Sequence, residues 1–322
     1  MTLRTALKAL LLAVLLIATT IACTCIGPVI GFEKSLHILL GGGSSRLERA
    51  IIMEVRLPRV LQALVVGAAL AASGAALQGL FRNPLASPYV LGVSSGAAFG
   101  AALAITLGFT ASYTVQTWAF TIGLLATLLA MALSRGTSPT TLLLAGVAMG
   151  SLFSALTSLS MYYAGERLEL IVAWILGSLA DSRWSKLYST APSILLSLVA
   201  LTLLGWRLNV MTLGDEAAIA MGVNPRVMRL VIASLTALAV SSAISVSGTI
   251  AFIGLITPHI ARAVFGHDHR CLIPASAMMG GLLLLVADTT ARSLRPAVEL
   301  PVGVLTALMG APFFLYLSLI HI

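Results

Sequence analysis

The chain has 322 residues, of which 59% are hydrophobic and 9% charged, and its mean hydropathy is +1.03. Soluble globular chains carry roughly 25% charged residues, so this composition excludes a soluble fold and defines one all-helical membrane domain, residues 1–322. A formal charge of +8 would suggest nucleic acid in a soluble protein, but here the 19 Lys and Arg stand between apolar runs, as juxtamembrane residues do, and no nucleic-acid partner is expected.

Ten apolar runs are each read as a membrane span. The first, Leu7 to Ile26, follows Arg4 and Lys8 and could pass for a signal peptide, with Ala22-Cys23 as a lipoprotein-like cleavage site; its length favours a retained first helix. Cys23, Cys25 and Cys271 form no disulfide framework and are read as packing residues. Between Pro28 and Arg59 lies a long connection with Gly41-Gly42-Gly43 and charges of both signs. Spans follow at Leu61 to Phe81, Tyr89 to Leu107, Val115 to Leu133, Thr140 to Ala164 and Leu187 to Leu204. Trp206 to Arg229 is read as a short amphipathic helix, a break at Gly222 and a restart at Asn224-Pro225. The remaining spans are Leu230 to Val246, Pro258 to Phe265, Ala275 to Thr290 and Val302 to Ile320. Ser87-Pro88, Ser138-Pro139, Asn224-Pro225 and Thr257-Pro258 each pair an N-cap residue with a first-turn proline, and so predict helix starts. The span after Thr257 is too short to cross alone, so irregular backbone before it must be shielded by protein or line a cavity. Gly92, Gly96 and Gly100, like Gly146 and Gly150, recur every four residues and predict close helix packing.

With the N-terminus inside, nine Lys and Arg fall on the inner side and ten on the outer, so the positive-inside bias gives no orientation. An outer face rich in arginine fits an acidic docking partner.

Chemistry-bearing motifs are few. Gly92-Val93-Ser94-Ser95-Gly96 matches a nucleophile pattern but lies on a span without a His and acid partner, and His267-Asp268-His269 reads as a solvated connection rather than a metal site. No phosphate loop exists, and none of Lys8, Lys34 and Lys186 follows a glycine, so the chain is not its own P-loop ATPase. An ion-coupled carrier would need carboxylates or His within spans; among the carboxylates only Asp288 qualifies, and Arg292 one turn on is its expected partner. These features argue against a secondary carrier and a membrane enzyme, the two competing classes.

Arg56-Leu57-Pro58-Arg59, Arg82-Asn83-Pro84-Leu85-Ala86 and Leu91-Gly92-Val93-Ser94-Ser95-Gly96 come first in an ordered set. Leu143-Leu144-Ala145-Gly146-Val147, Gly248-Thr249-Ile250-Ala251-Phe252-Ile253-Gly254-Leu255 and Pro258-His259-Ile260-Ala261-Arg262 continue it, and Gly266-His267-Asp268-His269-Arg270, Glu299-Leu300-Pro301-Val302-Gly303 and Gly310-Ala311-Pro312 close it. From about Arg56 to Leu317 this resembles the FecCD-type, BtuC-like permeases of binding-protein-dependent ABC importers. The end, Leu319-Ile320-His321-Ile322, departs from the basic tail common in such permeases.

The resemblance implies an inner-membrane homodimer of ten-helix subunits with both termini in the cytoplasm. Its implied partners are two cytoplasmic ATP-binding subunits, which would bind the ATP and Mg, and a periplasmic or lipid-anchored binding protein; no cofactor is implied in this chain. The implied cargo is an iron-siderophore first, haem or cobalamin next, and an oxyanion such as molybdate in some branches. Arg56, Arg59, Arg292 and Arg295 take the places of residues that dock the binding protein. Gly214, Asp215, Glu216, Ala217, Met221 and Gly222 fall in the ATPase-coupling segment, about 206–229, and Asn83, Leu85 and Thr140 at the cytoplasmic constriction of a path lined by the fifth span. Helix capping and turn formation would equally explain these last three.

Overall fold

A computed structural model describes residues 3–135, 138–294 and 299–320. Among them the helices are α1 (Leu3–Cys25), α2 (Phe32–Leu39), α3 (Arg46–Ala50), α4 (Leu57–Phe81), α5 (Val93–Thr106), α6 (Ser112–Ser134), α7 (Pro139–Tyr163) and α8 (Leu168–Ile175). They continue with α9 (Trp184–Leu203), α10 (Gly205–Thr212), α11 (Asp215–Ala220), α12 (Pro225–Ser247), α13 (Ile253–Phe265), α14 (His269–Leu294) and α15 (Val302–Ile320). Seven helices are long and apolar enough to cross a membrane, and α5, α13 and α15 are shorter apolar helices. These ten correspond one to one with the ten expected spans.

The bundle is built around α4. Its apolar window is 78% buried, against 6% for α1, so α4 is the central pillar and α1 a peripheral helix. α14 lies antiparallel to α4. Gly67 faces the Gly280 carbonyl and Gly74 faces that of Gly254, with no room for a Cβ at either contact. Small residues thus let the backbones touch, which is how helices associate where lipid removes the hydrophobic drive.

Two expected helix starts stand as read. The Ser138 hydroxyl accepts from the Thr141 amide at 3.1 Å, and the Asn224 carboxamide oxygen accepts from Arg226 and Val227. The other two do not. Pro88 opens a 3-10 turn, Pro88–Leu91, and α5 begins only after Gly92 at φ 78°. α13 begins at Ile253, with Pro258 inside it. The Gly254 carbonyl, which lacks its amide partner because proline has none, lies on Gly74 instead.

α5 and α13 are therefore half-length helices whose N-terminal ends lie inside the bundle. The irregular segments before them meet, since the Tyr89 hydroxyl donates to the Ile250 carbonyl. A cavity of about 170 Å³ lies between them, lined by Leu70, Pro88, Tyr89, Ile250 and Gly254 among others. The expected shielding of irregular backbone by protein is what the structure shows.

Three further differences are local. α3 runs into α4 through a π-helical segment, Ile51–Arg56, so residues read as a connection extend the second helix. α2 packs Ile38 onto Ile30 and Ile52 as a small outer cap. α8 occupies part of the stretch read as the connection between the fifth and sixth spans.

Candidate coupling segment and inner constriction

α10 and α11 lie at the end of the bundle that holds the N-terminus of α1, the end expected to be the inner one. α11 covers Asp215–Ala220, with Met221 as its C-cap and Gly222 just beyond at φ 77°. The Gly222 amide donates to the Ile219 carbonyl and the Val223 amide to that of Ala218, which is the Schellman pairing. Gly214 enters the helix at φ 121°. Glu216 and Ala217 occupy the first turn, where acidic groups suit the helix dipole.

Asp215 does more than favour that dipole. Its Oδ1 lies 2.7 Å from Nη2 of Arg82 and its Oδ2 lies 2.9 Å from Nη1 of Arg229. Arg82 is the left-handed C-cap of α4, and its Nε also donates to the Met211 carbonyl of α10. Burial pushes the Asp215 carboxyl up, but the hydrogen bonds and charges of Arg229, then of Arg82, outweigh it and hold it below the usual carboxylate range. Sequence reasoning missed both arginines as partners of Asp215, although Arg82 opens one of the quoted motifs.

Asn83 and Leu85 follow Arg82 directly and are exposed; the Asn83 side chain accepts from the Leu85 amide at 2.9 Å. Thr140 is exposed in the first turn of α7. One apolar cluster joins these parts. It contains Val210, Met211, Ala218 and Val223 of the coupling segment, Leu80 and Phe81 of α4, Ala86 of the Asn83 turn, and Leu142 of α7.

From Thr140 outward, α7 leaves a broad face exposed, on which Thr140, Leu144, Val147, Ser151, Ser154 and Ser158 form one stripe beside Thr141, Ala148, Leu152, Ala155 and Leu159. The spacing of four and three residues keeps it on one helix face. It mixes aliphatic side chains with hydroxyls that return to nearby groups, as Ser151 does to the Val147 carbonyl and Ser158 to that of Ser154.

At the outer end, the arginines expected to face a docking partner are turned inward, a correction to the exposed placement. Arg56 is 4% exposed and donates to the Cys25 carbonyl at 3.2 Å, the Pro28 carbonyl at 2.6 Å and Ser35 Oγ at 3.1 Å. It therefore gathers carbonyls at the C-terminal end of α1, where the helix dipole favours a cation. Arg59 is 6% exposed, with Nε 2.9 Å from Asp288 Oδ2 and Nη1 2.8 Å from Glu299 Oε2. Arg292 is 5% exposed and donates to the Cys23 carbonyl. Asp288 thus pairs with Arg59, not with Arg292 as the helical spacing suggested, because α4 brings a guanidinium across the α14 face while Arg292 turns to α1. Arg295 lies outside the described residues.

The His267-Asp268-His269 run is a structural joint. Asp268 is held by Arg270 and by Asn209 Nδ2 at 2.7 Å, and the buried His269 ring meets Asn209 Oδ1 at 2.8 Å. Hydrogen bonds from Arg270 lead the causes that keep the Asp268 carboxyl far below its usual range.

Comparison with known proteins adds the family context. The sequence model of the FecCD transport family matches residues 14–319. The "Cobalamin import system permease protein BtuC" of Halobacterium salinarum is 40% identical over 279 residues, covering 85% of this chain and 75% of that protein. The "Hemin transport system permease protein HmuU" of Yersinia pestis is 41% identical over 277 residues, covering 84% and 83%. A solved inward-facing structure, described as of the metal-chelate type of ABC transporter, superposes with a TM-score of 0.86 at 39% identity, covering 94% of this chain and 96% of its own.

Proposed function

Since the chain belongs to the FecCD transport family, we propose that its cargo is an iron chelate of the siderophore type, moved through a path that two copies of the chain enclose. The chain itself is a multi-pass inner-membrane permease subunit of an ABC importer. Haem and cobalamin, the cargoes in the names of two relatives, are the alternatives within the same reading.

The observation that carries the proposal is the single apolar cluster linking Ala218 and Val223 to Ala86 and Leu142, reinforced by the Asp215 bridge to Arg82. A push on α11 reaches the Asn83–Leu85 turn and the inner end of α7 through packed side chains, and packed interiors transmit displacement rather than absorb it. The energy would come from two separate ATP-binding subunits seated on α10 and α11, which would also hold the ATP and Mg. The exposed α7 stripe, whose serine hydroxyls return to nearby groups, offers a bulky chelate a surface without fixed charge, so selection falls to a binding protein at the outer end. That partner's docking is proposed at the rim which Arg56, Arg59 and Arg292 hold in shape from within. The described arginines act there by fixing the rim, not by direct ion pairing.

The test is co-purification of the chain with a co-expressed ATP-binding subunit from the same organism. The complex is expected to form, and Ala218→Trp, which overfills the cluster under α11, is expected to reduce it. Failure of any ATP-binding subunit to associate with the folded chain would overturn the proposal.

A further inference from the structure

We propose that the inner half of α14 carries a site for one anionic diacyl phospholipid of the inner leaflet, its two acyl chains straddling the helix and its phosphate held at Arg270. Two grooves flank α14 at the same depth. One, about 100 Å³, runs between α1 and α14 and is lined by Ala9, Leu12, Phe265, Pro274, Ala275 and Met278 among others. The second, about 320 Å³, lies between α9 and α14, with Leu198, Val199, Leu203, Pro274, Ala277 and Met278 on its walls. Pro274 and Met278 belong to both, so they form the ridge between two apolar troughs. At 1.5 Å per residue the ridge begins about 8 Å from the inner end of α14, the depth at which acyl chains leave the headgroup layer.

The groove beside α1 lies between two polar ties near the ends of that helix. Outside, Arg292 takes the Cys23 carbonyl; inside, Lys8 Nζ donates to the Val264 carbonyl at 2.6 Å. Between these ties no residue of α1 is buried and half are exposed, and the apolar walls of the groove open toward lipid.

Charge selects the headgroup. Arg270 stands one turn toward the cytoplasm from Pro274, is exposed, and reaches the mouth of the α1 groove. Lys8 stands beside that mouth with Arg4 one turn earlier, and both are exposed. On the other flank Gly205 packs on the backbone of His269 and Arg270, which places α10 and its exposed Arg207 next to the second groove. Asp268, already shared between Arg270 and Asn209, is the carboxylate in direct contact with this group. Basic residues over a cleft between helices on the cytoplasmic side suit an anionic headgroup, at about 1 kcal/mol per Lys or Arg near the surface.

The test equilibrates the purified full-length chain in mixed micelles with equal phosphatidylglycerol and phosphatidylethanolamine of matched acyl chains, and counts retained lipid by native mass spectrometry. Phosphatidylglycerol is expected to be retained over phosphatidylethanolamine by roughly tenfold. Lys8→Gln with Arg270→Gln removes the preference, Leu12→Trp lowers retention of both lipids, and Lys34→Gln on the outer side changes nothing. Arg4→Gln with Lys8→Gln, on the exposed face of α1, repeats the charge test should the Arg270 variant fail to fold. Excess glycerol 3-phosphate is expected not to displace the lipid. Equal retention of the two lipids, an undiminished preference in both charge variants, or displacement by glycerol 3-phosphate would overturn the site.

Discussion

Asp215 and Arg82, 133 residues apart in sequence, meet at 2.7 Å where α11 touches the end of α4. Both side chains are more than one-third exposed, so the pair is worth ~0.2 to 1 kcal/mol as a surface salt bridge, too little to hold the fold but enough to bias a moving joint. Arg82→Gln, which breaks this exposed pair and leaves the Asp215–Arg229 pair in place, is therefore expected to leave the unfolding midpoint nearly unchanged while lowering transport per ATP hydrolysed. The depressed Asp215 carboxyl keeps the bridge charged at and above the ordinary carboxylate pKa; it is lost only as pH falls through the lower folded value. A large drop in thermal stability of Arg82→Gln at neutral pH, with normal coupling, would show a structural role instead.

Gly222 tests the same segment through the backbone. Its φ of 77° lies in the left-handed region, with open space where a Cβ would stand, so a substitution acts through strain alone. A β-branched residue there costs about 1–2 kcal/mol, whereas asparagine tolerates the region. Gly222→Val is expected to uncouple ATP hydrolysis from transport and Gly222→Asn to keep most of it, as measured by paired hydrolysis and uptake assays. Equal behaviour of the two variants would count against a role for this turn.

The outer arginines yield a different expectation. Asp288 is fully buried and Arg59 nearly so, and removing one partner of a buried pair costs about 3–5 kcal/mol because the other charge is left behind. Asp288→Asn is expected to lower the unfolding midpoint in detergent strongly, and Glu299→Gln, at a half-exposed carboxylate, only slightly. Arg56→Glu and Arg292→Glu are expected to impair folding before they alter docking. If both fold like wild type and only binding-protein affinity falls, the arginines reach the partner directly.

Much of this architecture was legible in the sequence. Ten apolar runs became ten helices, and Ser138, Asn224 and Gly222 did what their types predict at helix ends, because those signals are satisfied within one turn. Ser87-Pro88 and Thr257-Pro258 carry the same local signal yet did not start α5 and α13. Their positions are decided by where Gly92 and Gly254 meet α7 and α4, a contact between distant segments. Asp288 shows the same limit. Arg292 is its neighbour by spacing, but Arg59 wins from 229 residues away, since only the packed α4–α14 interface brings it near. The α11 segment with its Gly222 turn was readable as turn chemistry; its link to Arg82 and Arg229 was not.

Topology can be checked with single cysteines. Asn209 is bonded to Asp268 and His269, so the exposed Arg207 is the better reporter on that segment. In a background with Cys271→Ala, Ser185→Cys and Arg207→Cys are expected to react with an impermeant thiol reagent from opposite faces, outer and inner respectively. Labelling of both from one face would contradict an inner N-terminus with ten crossings.

The central claim, a passage worked by a separate ATPase, is tested most directly by uptake of a labelled iron-siderophore into proteoliposomes holding the chain, its ATP-binding subunit and its binding protein. ATP inside the assembly is expected to drive uptake that vanadate abolishes and that an imposed proton or sodium gradient does not replace. Uptake driven by an ion gradient through the chain alone, without the ATP-binding subunit, would contradict the account.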